Sequence, residues 1–136
     1  MTYAVASALQ TAVYQTLAAD TDITALVGSD IYDDLPPGTP PDTYISLGPE
    51  TAQEASDISG DGAKHEFTIS VVTDNGGFQT VKDIGGAVCD ALINAELILA
   101  RGYLVGLWFK QAKAARSDNA TSRRVDLTFQ AQVQDS

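Results

Sequence analysis

Few of the side chains that perform chemistry occur in this chain. Its 136 residues include one histidine, one cysteine, one tryptophan and one methionine. A lone cysteine, Cys89, excludes an intrachain disulfide and any multi-cysteine metal site. With a single histidine beside it, none of the usual zinc ligand sets can be assembled. Cys89 lies among Val88, Leu92 and Ile93, where a buried, inert thiol is expected rather than a nucleophile. No apolar run approaches the roughly 20 residues of a membrane span. The first residues also lack the basic region of a signal peptide. The expectation is a soluble protein made in, or assembled in, a reducing compartment, without a membrane.

Positive charge is also scarce, and unevenly so. Residues 1–81 hold one basic side chain, Lys64, against twelve acids, a net of −11. Residues 82–136 hold seven (Lys82, Arg101, Lys110, Lys113, Arg116, Arg123, Arg124) against six acids, a net of +1, which sums to the overall −10. Nucleic-acid binding requires a surplus of Lys and Arg on one face, so the balance argues against a protein that grips phosphate. A domain polarised this way suits contact with complementary charge on a neighbour, including another copy of itself. The plain alternative is a solvated acidic surface.

What is present is ordinary globular material. The length fits one domain with one core, and 44% apolar residues is enough to fold. Val5, Leu9, Val13 and Leu17 recur every four residues and predict a helix over 3–18, with Ala6 and Ala12 widening its stripe. Asp20 or Thr21 can cap a short helix over 22–27 that Gly28 ends. Ile31 and Tyr32 open a brief extended piece, stopped by four prolines within 36–41. A strand is expected near 43–48. The small, acidic stretch that follows reads as an extended hairpin loop at about 49–63, ordering only on assembly. Residues 64–73 alternate, with His65, Phe67, Ile69 and Val71 on one face. A helix is expected over 78–95 with Val81, Ile84, Val88 and Leu92 inward, and with Gly85 and Gly86 retained for close approach to a sheet.

Two long strands close the pattern. Over 103–113, parity sets Tyr103, Val105, Leu107 and Phe109 on one face and Leu104, Trp108 and Lys110 on the other. Over 122–134, Arg123, Val125, Leu127, Phe129, Ala131 and Val133 point inward, the cleanest two-residue period in the chain. The order α-α-β-β-β-α-β-β predicts a single α+β domain over 1–136. Its mainly antiparallel sheet has four to five strands packed by two main helices. Phe67, Ile69, Val71, Val81, Ile84, Val88, Leu127 and Phe129 are the expected core.

No catalytic constellation stands out. His65 shares parity with apolar neighbours and reads as a satisfied histidine at a sheet margin rather than a base. Gly60-Asp61-Gly62 and Gly76-Gly77 match no phosphate-binding spacing and read as turns. The acids from Glu50 to Asp61 lack the ligand spacing of a calcium loop. Asp33 and Asp34 carry no separation that argues for acid–base work. Neither enzyme activity, cofactor nor metal is expected. Trp108 is the exception to the bland pattern. It is either an interface anchor or the cover of a central strand beneath a folded-over loop such as the proline segment.

As a set, these residues resemble a known family. Leu9-Gln10-Thr11-Ala12-Val13-Tyr14 leads into Asp22-Ile23-Thr24-Ala25-Leu26-Val27-Gly28. Ile31-Tyr32-Asp33-Asp34-Leu35-Pro36-Pro37-Gly38 follows, then Pro41 to Ile45, Leu104-Val105-Gly106-Leu107 and the alternating last strand. The sequence resembles, nearly end to end, the tail-terminator (tail-completion) proteins of long-tailed bacteriophages and alphaproteobacterial gene transfer agents; 24–38 is its most specific part.

The resemblance implies a structural subunit of a hexameric ring, assembled in the bacterial cytoplasm and resident at the tail–neck junction of a virion or phage-like particle. Such a ring terminates the tail tube, contacts the major tail-tube protein and a neck or stopper protein, and leaves a channel through which DNA passes without specific binding. A stand-alone acidic protein-binding module, or another neck or connector protein such as a stopper, is the alternative. A small hydrolase using His65 with Asp33 or Asp34 is a third reading that no motif supports. For a ring, the expected subunit interface comprises Trp108, Arg116, Arg123 and Arg124 on one surface. Asp33, Asp34, Glu50, Glu54, Asp57 and Asp61 would form the other.

Overall fold

The computed structural model describes residues 3–33, 38–56, 61–93, 95–116 and 122–135. Helix α1 (Ala6–Ala19) buries Leu9, Val13 and Leu17 along the expected stripe, with Val5 just ahead of it. Helix α2 (Thr21–Val27) is capped by Asp20, whose carboxylate accepts the Ile23 N–H at 3.0 Å. It ends at Gly28 with φ of 64°, a left-handed turn that favours glycine.

Strands β1 (Ile31–Tyr32), β2 (Thr43–Glu54) and β3 (Asp61–Thr73) follow. After them come α3 (Phe78–Ile93), β4 (Tyr103–Arg116) and β5 (Arg123–Asp135). The sheet order is β1-β2-β3-β5-β4. The two-residue β1 runs parallel to β2, and every other pairing is antiparallel. The α+β expectation holds, with five strands.

Helix α3 packs on β5, β3 and β4, and α1 packs on α3. One apolar cluster joins the helices to the inward residues of the strands. It includes all eight expected core residues, together with Ile45, Ala131, Val133 and Leu99. Phe129 is fully buried at its centre, stacked on Phe67 with ring centroids 5.7 Å apart. Burying each such side chain contributes roughly 1.5–3 kcal/mol.

The other sheet face is polar. Lys64, Glu66, Thr68 and Ser70 of β3 lie opposite Gln132, Gln130, Thr128 and Asp126 of β5, on the side away from Phe67 and Phe129.

Three sequence expectations are corrected. The loop expected at about 49–63 is largely strand. β2 continues to Glu54 and β3 starts at Asp61, with Glu50 opposite Phe67, Ala52 opposite His65 and Glu54 opposite Ala63. No apolar alternation marks this half of the hairpin, because its inward positions Glu50, Ala52 and Glu54 are polar or small. Backbone pairing, rather than burial, carries the strand.

The face assignment of β4 also changes. Register shifts fall between Leu104 and Gly106 and between Phe109 and Gln111. Each bulge adds one residue and reverses parity. Leu104, Leu107 and Phe109 therefore share the helix-covered face with Val133, Ala131 and Phe129, whereas Tyr103 joins Trp108 on the polar face.

The close approach expected at the paired glycines is not needed. A Cβ on Gly85 would meet Leu127 and Val125 at an ordinary 3.8 Å, and one on Gly86 would meet nothing.

Candidate assembly interface

The strand order spreads the expected interface residues across the sheet, with Trp108 and Arg116 on edge strand β4, Arg123 and Arg124 on β5, Asp61 on central β3, and Glu50 and Glu54 on β2. Arg116 lies on β4, one edge, directly opposite Arg123 of β5. Two like charges facing each other across a ladder repel. Arg123 is partly accommodated over the Phe78 ring at 5.5 Å. Arg124 is already engaged within the subunit. Its guanidinium donates to Asp126 Oδ1 at 2.9 Å and to the Ser70 hydroxyl at 3.1 Å. Trp108 also lies on β4, half-exposed on the polar face.

Glu50 and Glu54 lie on β2 near the other edge, and Asp33 directly follows β1. Asp33 and Glu50 line one open cleft with Tyr3, Gln10 and Thr11. Asp61 begins β3 opposite Asp135. Trp108 shares β4 with Arg116 but lies opposite Gln130, well along the ladder from Arg116 and Arg123, so the structure does not bring it together with the arginines, whereas Asp33 and Glu50 share one cleft. Asp34 and Asp57 lie outside the described residues, as do Pro36 and Pro37 of the proline-rich segment.

Glu50 is held rather than free. It accepts the Tyr3 hydroxyl at 2.6 Å and lies 3.1 Å from His65 Nδ1. That hydrogen bond, and then the carboxylate's charge, raises the Tyr3 hydroxyl above its ordinary value of 10.0. Tyr3 stacks on the His65 ring with centroids 6.0 Å apart. His65 is fully buried on central strand β3, not at a sheet margin, and its Nε2 has no hydrogen-bond partner among the described residues. The expectation of a satisfied histidine is corrected for that nitrogen. His65 and Asp33 do not pair: the histidine's acidic partner is Glu50, which also accepts the Tyr3 hydroxyl.

Cys89 is half-buried, and burial pushes its thiol above the ordinary value of 9.0. Among the described residues no group of histidine, cysteine and acidic side chains could hold a metal ion, and no helix is long and apolar enough to cross a membrane.

Sequence parity missed most of what β4 presents. Tyr103, Val105, Trp108 and Phe109 are exposed by 50%, 51%, 50% and 46%. Lys110 and Lys113 share the strand with Arg116 and no acid occurs between 103 and 116. Lys110 reaches Glu66 at 3.1 Å across the polar face. That run of cations was readable in the sequence; the exposure of the strand on both faces was not, because it follows from the edge position.

The fold and these edges define a small α+β domain whose distinctive chemistry lies on its sheet rather than in a pocket. The model of the tail completion protein gp17 family matches residues 11–134, and the chain belongs to that family. It is a tail-completion protein of the phage and gene transfer agent kind. A chain in a solved structure of the virion of a native gene transfer agent particle is 56% identical. The match covers 98% of this chain and 99% of that one, with a TM-score of 0.91. No curated protein sequence matches.

Proposed function

We propose that this protein is a structural subunit that closes the end of a tail tube as a ring of identical copies, six by resemblance to its family. The ring would join the tube to the neck and leave a channel for DNA. The observation that carries the reading is the family match over 11–134, together with near-complete coverage of a chain from a gene transfer agent virion. A ring of identical subunits needs two different, mutually matching surfaces on each copy. Cationic β4 and the acidic β2 side, at opposite ends of the sheet order, supply such a pair. Trp108 is the apolar anchor on the first. Arg116 and Arg123, mutually repelling within the subunit, gain from an acid on a neighbour.

The tube and neck proteins are its other partners. The net charge of −10 keeps DNA phosphate from adhering as it passes. Deleting the gene in a producing strain and imaging the particles tests the role. Loss of tail termination or head–tail joining, restored by the wild-type gene, is the expected result. Particles with normal, joined tails in the deletion strain reject it.

A further inference from the structure

We propose that each copy receives the next in a tyrosine-lined furrow between α1 and β1, and that β4 of the neighbour fills it with Trp108 and Lys113. This rests on the ring reading above and names the side-chain contact that holds the ring.

Three open clefts of about 370, 350 and 250 Å³ adjoin along α1. Gln10, Thr11 and Asp33 line both of the first two, and Tyr14 and Ile31 line both of the last two. Together they form one furrow. While Leu9, Val13 and Leu17 enter the core, a second stripe of α1 at Ser7, Gln10, Tyr14 and Ala18 makes one wall. Ile31 and Tyr32 of β1 make the other.

Two of the rings are fixed before anything docks. The Tyr3 hydroxyl donates to Glu50 at 2.6 Å, and the Tyr32 hydroxyl donates to Asp30 at 2.7 Å. Rings held this way lose little freedom on binding, so the furrow is a prepared platform. Glu50 serves here as the anchor of Tyr3, and Asp33 is the acid that meets the neighbour's charge.

Three arguments select a second copy as the occupant. Charge is the first. Residues 1–63 contain no lysine, arginine or histidine, whereas β4 carries Lys110, Lys113 and Arg116 and no acid. Furrow against furrow and β4 against β4 are both refused by like charge; furrow against β4 is favoured. Position is the second. α1 packs on β1, which is one end of the strand order, and β4 is the other, so the contact repeats head to tail as a ring requires. Spacing is the third. Trp108 and Lys113 share the polar face, opposite Gln130 and Asp126, four rungs or about 13 Å apart. Tyr14 and Ala6, which line the two ends of the furrow, are eight helical residues or about 12 Å apart. An indole seated beside Tyr14 therefore brings Lys113 to the cleft of Tyr3 and Asp33, where a ring face and a carboxylate receive the ammonium.

The test is a cross-link between copies. Thr11→Cys and Gln111→Cys in one chain put exposed thiols midway along the furrow and midway between Trp108 and Lys113. In particles from a strain in which this chain replaces the wild type, a short bis-maleimide should join copies into a ladder reaching the hexamer. Either single-cysteine chain should give no more linkage than the wild type, whose only thiol is Cys89. Trp108→Ala and Tyr14→Ala alter side chains of residues 50% and 37% exposed. Each should keep the monomer's thermal midpoint and lower tail capping about tenfold or more. Six-fold rings visible on tails without the ladder, or normal capping by both alanine variants, overturn the furrow contact and leave the ring standing. Tails that carry no ring of this protein reject the ring reading, and the docking with it. Linkage of Gln111→Cys to the tube or neck protein in place of the ladder assigns β4 to that partner and overturns the proposal.

Discussion

The indole of Trp108 lies across the backbone of Gly106. A Cβ at Gly106 would fall 2.6 Å from the indole's Cη2 and Cζ2, closer than carbon atoms approach without movement. The glycine thus leaves the space in which the ring rests against the polar face, two residues along the same strand. The obstacle is the far end of a side chain that can rotate, so Gly106→Ala should swing the ring towards solvent at little cost in stability. Trp108 is the chain's only tryptophan, so its emission reports the move directly. A red shift with an unchanged thermal midpoint is expected; an unshifted spectrum contradicts the packing.

Gly102 and Gly86 should respond oppositely to alanine. Gly102 has φ of 70°, and a Cβ there would lie 2.4 Å from the Gln134 carbonyl oxygen, a backbone atom that cannot rotate away. Gly102→Ala should cost about 2 kcal/mol or more. Gly86 sits within α3 with open space at its Cβ position. Gly86→Ala should therefore stabilise by about 1 kcal/mol. Urea titrations of both variants check the two signs.

Phe129 ties the two halves of the sheet to the core. It stacks on Phe67 and meets Phe109 edge-on at 5.8 Å. Phe129→Ala should lower stability by about 3–5 kcal/mol. Phe109→Ala should cost far less, because Phe109 is half-exposed at the edge. Equal losses by chemical denaturation contradict the assignment of β4 as an open edge.

Asp135 makes acid stability depend on Arg101. Nε and Nη2 of Arg101 each donate to its carboxylate at 2.9 Å. They hold Asp135 below its ordinary value of 3.8. A depressed carboxylate stabilises the fold at pH above its unfolded value, and that contribution disappears as pH falls through the folded value. Arg101→Gln should flatten this part of the acid limb of a stability–pH curve and leave Asp61 facing an uncompensated Asp135. Identical acid limbs in the two proteins reject the coupling.

The readable parts of the sequence were those in which burial writes a period. The helix stripes of Leu9, Val13 and Leu17 and of Val81, Ile84 and Val88 locate α1 and α3. The alternation from Arg123 onward locates β5. Where pairing without burial sustains a strand, as at Thr51 and Gln53 of β2, no such period exists and a loop is the natural misreading. Bulges add a second blind spot, because one inserted residue in β4 moved Tyr103 to the opposite face. The side chains expected at an interface were visible as types, whereas their placement depended on strand order. Nothing local in the sequence says that β5 lies between β3 and β4.

That placement has a consequence for biosynthesis. β5 is translated after both of its neighbours, yet it pairs with β3 along Arg123–Asp135 and with β4 on its other side. Until it leaves the ribosome, β3 and β4 have no common partner, and Val71, Ile69 and Phe67 lack the row that faces them. The nascent chain can form its helices and the β2–β3 hairpin early. It cannot present a finished β4 edge before the central strand slots in, and such non-local closure is slow. Completion of the β4 edge therefore waits on the pairing of β5, the strand translated after it.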